Sequence, residues 1–206
     1  MTRDPLEAIH ALLEDGDAGP RWLLARAEGR IDAEGIVEAG TPLFPGAFNP
    51  FHHGHEQLAR VAAEMLGRAV AYELAVVNVD KPPLDAAEVA RRLAQFEGVG
   101  DVLLTRAPRF VEKARLFPGT PFVIGWDTAV RLVEARYYGD SVEAMRDALE
   151  EMRASEVRFV VAGRTHEGAF RTLEDAHLPP AFAPMFEGIP ESLFRADVSS
   201  TELRSG

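Results

Sequence analysis

From residue 41 onward, short apolar runs alternate with amphipathic helical patterns, and this alternation restricts the fold more than any other feature of the chain. The runs YELAVVNV (72–79), FVIG (122–125) and RFVVAG (158–163) are continuous, as in strands covered on both faces. Strands are expected at 42–45, 72–80, 101–105, 121–125 and 157–162. Helices are expected at 53–67, 86–97, 109–116, 127–137 and 140–154. Strand and helix in turn predict a parallel sheet with right-handed crossovers, an α/β, Rossmann-like doubly wound fold. Asp140, three residues before Glu143, reads as a capping box opening the last helix. The segment 164–190 has few regular signals and reads as a loop over the binding site.

The chain is long enough for one domain with a real core. Its first forty residues stand apart. Residues 5–28 read as helical, with Leu6, Ile9, Leu12 and Leu13 on one face and Trp22, Leu23 and Leu24 following Pro20. The expected division is a helical N-terminal extension, 1–40, and a main domain, 41–206. The extension is either a helical hairpin packed on the main domain or a docking element.

Within the main domain, Phe44 to Arg60 (FPGAFNPFHHGHEQLAR) is the stretch that carries chemistry. A strand end is followed by a Gly/Pro turn, and then by His52, His53, Gly54 and His55 at a helix start. Leu58, Val61, Ala62, Met65 and Leu66 continue that helix with a core-facing stripe. A helix N-terminus carries unpaired N–H groups and a partial positive charge, so anions, and phosphate above all, bind there. Gly46 and Gly54 keep no side chain between a ligand and the backbone. His52 and His55 share the first turn. The pattern suits holding a nucleotide's phosphate chain while a bond at phosphorus changes. The alternatives are a surface histidine cluster at a helix cap or an adventitious metal site. A zinc-protease motif is absent, and there is no cysteine for a structural zinc site.

Residues 46–55 have the form GxFxPxHxGH, which resembles the signature of the HxGH nucleotidylyltransferases. Val198-Ser199-Ser200-Thr201-Glu202-Leu203-Arg204 resembles the ISSTxxR motif of the nicotinamide and nicotinate mononucleotide adenylyltransferases. The resemblance implies the HUP-type nucleotidylyltransferase fold over 41–206. It also implies AMP transfer from ATP to a phosphomonoester, with Mg²⁺ on the phosphates and release of pyrophosphate. Nicotinamide or nicotinate mononucleotide is the expected acceptor. The alternatives are phosphopantetheine or a cytidylyltransferase reaction with CTP, and, in another class, a nucleotide-binding module without turnover. By resemblance, His52, His55 and Arg204 are catalytic. Gly46, Ala47, Phe48, Gly54, Gly125, Asp127, Ser199, Ser200 and Thr201 are nucleotide-binding.

Weaker candidates for the substrate lie just after other expected strands, where doubly wound sheets bind ligands. Lys81 follows the second, in a proline-rich turn, and is either a phosphate contact or a surface lysine. Trp126 and Asp127 follow the fourth, Trp126 as a stacking platform or core residue, Asp127 as a ribose acceptor or helix cap. Arg164 follows the fifth, as a phosphate fork or a solvated side chain. No resident metal is expected.

A net charge of −11 argues against binding to nucleic acid or anionic membranes. An anionic nucleotide must then be met by a local positive site. The lysine-rich KMSKS loop that accompanies HxGH in aminoacyl-tRNA synthetases is absent. Without cysteines, an apolar leader or a membrane-length run, a cytoplasmic protein is expected. ATP and a small phosphorylated acceptor are the expected partners, and self-association as a homo-oligomer stays open.

Overall fold

The computed structural model describes residues 4–14, 19–77 and 82–195. Helix α1 (Pro5–Leu13) opens the chain, capped by Asp4, whose carboxylate accepts from Leu6 N–H with Pro5 at the first position. Strands β1 (Trp22–Ala25) and β2 (Ile31–Ala33) follow. The α/β alternation then runs β3 (Leu43–Pro45), α2 (His53–Leu66), β4 (Ala71–Ala75), α3 (Ala86–Leu93), β5 (Val102–Thr105) and α4 (Phe110–Leu116). It continues through β6 (Pro121–Gly125), α5 (Trp126–Leu132), α6 (Val142–Ala154) and β7 (Arg158–Ala162), then β8 (Arg164–His166), β9 (Ala169–Arg171) and β10 (Phe186–Gly188).

Eight strands form one sheet in the order β10-β7-β6-β3-β4-β5-β1-β2. From β10 to β5 neighbouring strands are parallel, and β1 and β2 add an antiparallel edge. Alternate strand residues serve two cores. Phe44, Tyr72, Leu74 and Leu104 pack with α1, α2 and α3; Leu43, Leu103, Phe122, Ile124 and Phe159 pack with α4, α5 and α6. Chain order runs outward from β3 to β4 and β5, and from β6 to β7 and β10, so the strand order reverses between β3 and β6. Loops leaving the carboxyl ends of these two strands part there, which makes the ligand crevice of a doubly wound sheet. Among the described residues no helix is long and apolar enough to cross a membrane.

The structure departs from the sequence reading in several elements, and the strand expected over 72–80 ends at Ala75. The expected helix over 5–28 stops at Leu13, and Trp22–Ala25 is a strand hydrogen-bonded to β5. Leu23 packs into one core and Leu24 into the other, as neighbours do in a strand between two helical layers. The helix expected over 127–137 ends at Leu132, where the Tyr138 hydroxyl donates to the Leu132 carbonyl and a 3-10 turn, Ala135–Tyr138, takes over. The cap of α6 is Ser141, whose hydroxyl accepts from Ala144 N–H; Asp140 sits before it in the left-handed region at φ 58°. The segment 164–190 contains the β8–β9 hairpin and the edge strand β10.

Candidate active site

The turn after β3 begins with Gly46, whose N–H donates to the main-chain carbonyl of Glu73 on β4 (3.0 Å). Glycine is needed here for a reason that the sequence did not reveal. A Cβ on Gly46 would lie 2.6 Å from Phe48 Cζ, because the buried Phe48 ring folds back over the turn. Phe48 holds a left-handed φ of 45°, uncommon for a bulky residue. Ring contacts to Phe44, Phe51, His55, Tyr72 and Phe96, with centroids 5.1–5.9 Å away, hold it there. Gly46→Ala therefore should lower stability by ~1–3 kcal/mol, the cost of overpacking a filled site. A melting curve unchanged from wild type would show that the ring moves aside freely.

His52 is the N-cap of α2 and His55 its third residue. The His52 N–H donates to His55 Nδ1 (3.2 Å), and the His55 N–H to the His52 carbonyl (2.8 Å). The two imidazoles stack with centroids 3.7 Å apart. Phe51 stacks on His55, and Phe44 and Phe48 meet its edge. Burial, and then the neighbouring His52, push the His55 pKa down to about 4; burial also lowers that of His52. Both rings are thus neutral at pH 7. Because His55 Nδ1 is an acceptor, its proton resides on Nε2. The pair is a set of neutral hydrogen-bond donors and acceptors at a helix N-terminus, not a pair of cations. His53 points away, 85% exposed beside Glu56 (3.7 Å).

Across the crevice, Gly125 is the N-cap of α5, and Trp126 and Asp127 form its first turn. Asp127 Oδ1 lies 3.1 Å from Arg164 Nη1, so the two candidates at the ends of β6 and β7 are brought together as a half-exposed ion pair. The Trp126 ring is 5.2 Å from His166 on the β8–β9 hairpin, and its buried Nε1 has no hydrogen-bond partner among the described residues. The hairpin folds close over Gly163, where a Cβ would meet Phe170 at 2.7 Å. The structure thus gathers Gly46, Ala47, Phe48, His52, Gly54 and His55 at the end of β3. It places Gly125, Trp126, Asp127 and Arg164 at the ends of β6 and β7. Lys81, Ser199, Ser200, Thr201 and Arg204 lie outside the described residues.

Sequence reasoning missed what holds the turn on its other side. Arg92 Nη1 donates to the Ala47 carbonyl (2.9 Å), and Arg91 Nη2 to Asn49 Oδ1 (2.8 Å). Gln95, in the 3-10 turn Ala94–Phe96 that continues α3, donates to the Phe48 carbonyl (3.1 Å) and accepts from Phe51 N–H (2.9 Å). Hydrogen bonds from Arg91 and then Arg92 hold Glu88 at about 2, so it stays charged and fixes both guanidinium groups. The spacing 88, 91, 92, 95 is a polar stripe at helical period, which in sequence reads as a solvated face.

A search of the curated proteins returns no match. The cytidylyltransferase-like family matches residues 43–206, from the first residue of β3 to the end of the chain. That span includes the switch point and both motif regions, and the chain belongs to this family of nucleotidyltransferases.

Proposed function

We propose that this nucleotidyltransferase moves AMP from ATP to a small phosphomonoester, with nicotinamide or nicotinate mononucleotide as acceptor, releasing pyrophosphate. The observation that carries the reading is the His52–His55 pair at the N-terminus of α2, beside the β3–β6 switch point. An acceptor phosphate oxygen attacks the α-phosphorus; the new P–O bond forms as the bond to the β-phosphate oxygen breaks, and pyrophosphate carries away the electron pair. The attacking oxygen is already anionic, so no general base is required. Catalysis is then positioning plus stabilisation of charge on the phosphates. The His55 Nε2–H, the first N–H groups of α2 and its dipole supply that stabilisation.

Among the described residues no group of three His, Asp or Glu side chains is placed to hold a metal ion. Mg²⁺ fits the site as part of the substrate Mg·ATP, held on phosphate oxygens and neutralising their charge. The choice of acceptor rests on the Val198–Arg204 sequence, which resembles the second motif of the mononucleotide adenylyltransferases.

The test is pyrophosphate release with ATP or CTP against nicotinamide mononucleotide, nicotinate mononucleotide, phosphopantetheine and small phosphorylated alcohols. Release with ATP and one of the two pyridine mononucleotides is expected. Release with CTP alone would reassign the nucleotide. ATP binding with no release for any acceptor would reduce the protein to a nucleotide-binding module.

A further inference from the structure

We propose that Arg92 and Gln95 are positioning residues for nucleotidyl transfer, aiming main-chain N–H groups of the β3–α2 turn at the substrate phosphates by pinning the carbonyls on the other side of the same peptides. The inference rests on the nucleotidyl-transfer reading of the site. In a trans peptide the C=O of one residue and the N–H of the next point in opposite directions. The Ala47–Phe48 and Phe48–Asn49 peptides are trans. Arg92 holds the Ala47 carbonyl and Gln95 the Phe48 carbonyl, so both carbonyls face α3 and its 3-10 extension. The N–H groups of Phe48 and Asn49 therefore face the opposite way. Since α3 links β4 to β5, the side away from it is the side on which β6 ends and the crevice opens.

The clamp is built to stay fixed. Arg92 is nearly buried and bridges Glu88 and the Ala47 carbonyl with one guanidinium group. Gln95 uses both ends of its amide, accepting from Phe51 N–H while donating to the Phe48 carbonyl. The peptides thus need no reorganisation when a triphosphate arrives, which is what makes fixed dipoles effective toward developing charge. The left-handed φ of Phe48 belongs to the same arrangement: the conformation that turns these peptides is one the residue adopts rarely by itself.

The test is affinity for Mg·ATP and for inorganic tripolyphosphate in four proteins: wild type, Arg92→Lys, Gln95→Glu and Val89→Ala. Lysine keeps the charge but has a single nitrogen where the guanidinium uses two, Nε on Glu88 and Nη1 on the Ala47 carbonyl. Glutamate keeps the bond from Phe51 N–H but turns an oxygen toward the Phe48 carbonyl. Val89 is fully buried on the core-facing side of α3, so Val89→Ala loosens the helix without cutting a tether. Arg92→Lys and Gln95→Glu are each expected to weaken both ligands about tenfold, the scale of one impaired hydrogen bond to an anion. Val89→Ala, measured well below its melting temperature, should bind both like wild type. Unchanged affinity in the two tether variants, or an equal loss in Val89→Ala, overturns the positioning role. Loss for Mg·ATP with tripolyphosphate unchanged also overturns it, since the contacts would then be to base or ribose. If wild type releases pyrophosphate while the tether variants bind normally, positioning alone fails; if wild type binds neither ligand, the nucleotide reading fails with it.

Discussion

His55→Asn is expected to lower turnover by ~10²-fold or more, the scale for removing one hydrogen-bond donor from a charge-stabilising site. The choice of Asn over Ala follows from the packing. His55 fills space between Phe44, Phe48 and Phe51, so truncation to Ala opens a hole and mixes a stability loss with a catalytic one. Asn places an acceptor near the position of Nδ1 and keeps the bond from the His52 N–H, but has nothing at the position of Nε2. Gln reaches the Nε2 position and should recover part of the rate. The neutral-ring assignment adds a pH test. The folded-state pKa is lowered to about 4 from the ordinary 6.5, so between these values the unfolded chain takes up a proton that the folded chain refuses. Stability tied to His55 is complete above about 6.5, falls as pH drops toward about 4, and loses nothing further below that. This acid limb should be shallower in His55→Asn. Turnover within threefold of wild type in that variant would sink the assignment. A rate that falls as pH rises through the ordinary histidine range would instead mean that the ring acts as a cation.

Between residues 41 and 162 the sheet was legible because burial on both faces leaves continuous apolar runs, and each of those runs holds a parallel strand, whereas the edge strand β10 was missed. The N-terminal strand was not legible because Trp22–Ala25 follows a helical pattern closely, and a short apolar run does not by itself separate strand from helix. What decides its state is hydrogen bonding to β5, far away in sequence. The cap of α6 was misassigned by one residue for a local reason. Asp and Ser at 140 and 141 both suit an N-cap, and only the backbone turn at Asp140 settles which of them faces the helix.

The site was legible in part. A glycine, a histidine pair and a following apolar helix stripe suffice to place a helix N-terminus after a strand, and the structure has one there. The protonation of the histidines was not legible, because it depends on the ring of aromatic neighbours contributed by β3, β4 and the Ala94–Phe96 turn. The joining of Asp127 to Arg164 was hidden too, since it follows from β6 and β7 ending side by side. The clamp of Arg91, Arg92 and Gln95 was the largest omission. A polar stripe that meets a loop and one that meets water look alike in sequence.

Lys113→Met is expected to destabilise the protein by ~3–5 kcal/mol, the cost of leaving a buried charge without its partner. At this chain length that corresponds to a fall of roughly 6–20 °C in melting temperature. Glu73 lies within the run YELAVVNV, in the middle of β4, and is 1% exposed. Lys113 reaches it from α4, with Nζ 2.7 Å from Oε1, and also donates to the Ala107 carbonyl (2.6 Å). The Thr105 hydroxyl donates to the same carboxylate oxygen (2.5 Å), while Oε2 is buried with no hydrogen-bond partner among the described residues. The network is therefore incompletely satisfied, and an incompletely satisfied buried pair is costly to break but of little net value against an apolar one. Glu73→Leu with Lys113→Met should accordingly recover most of the stability lost by Lys113→Met, a coupling of several kcal/mol in a double-mutant cycle. The double variant also separates stability from function. Glu73 meets the active-site turn through its main-chain carbonyl, which accepts the Gly46 N–H and survives any change of side chain. Pyrophosphate release should therefore return along with the melting temperature. A double variant that melts like wild type yet stays inactive would mean that the Glu73 carboxylate serves the reaction directly, and a Lys113→Met variant that loses less than ~1 kcal/mol would mean that the pair does not hold the fold together.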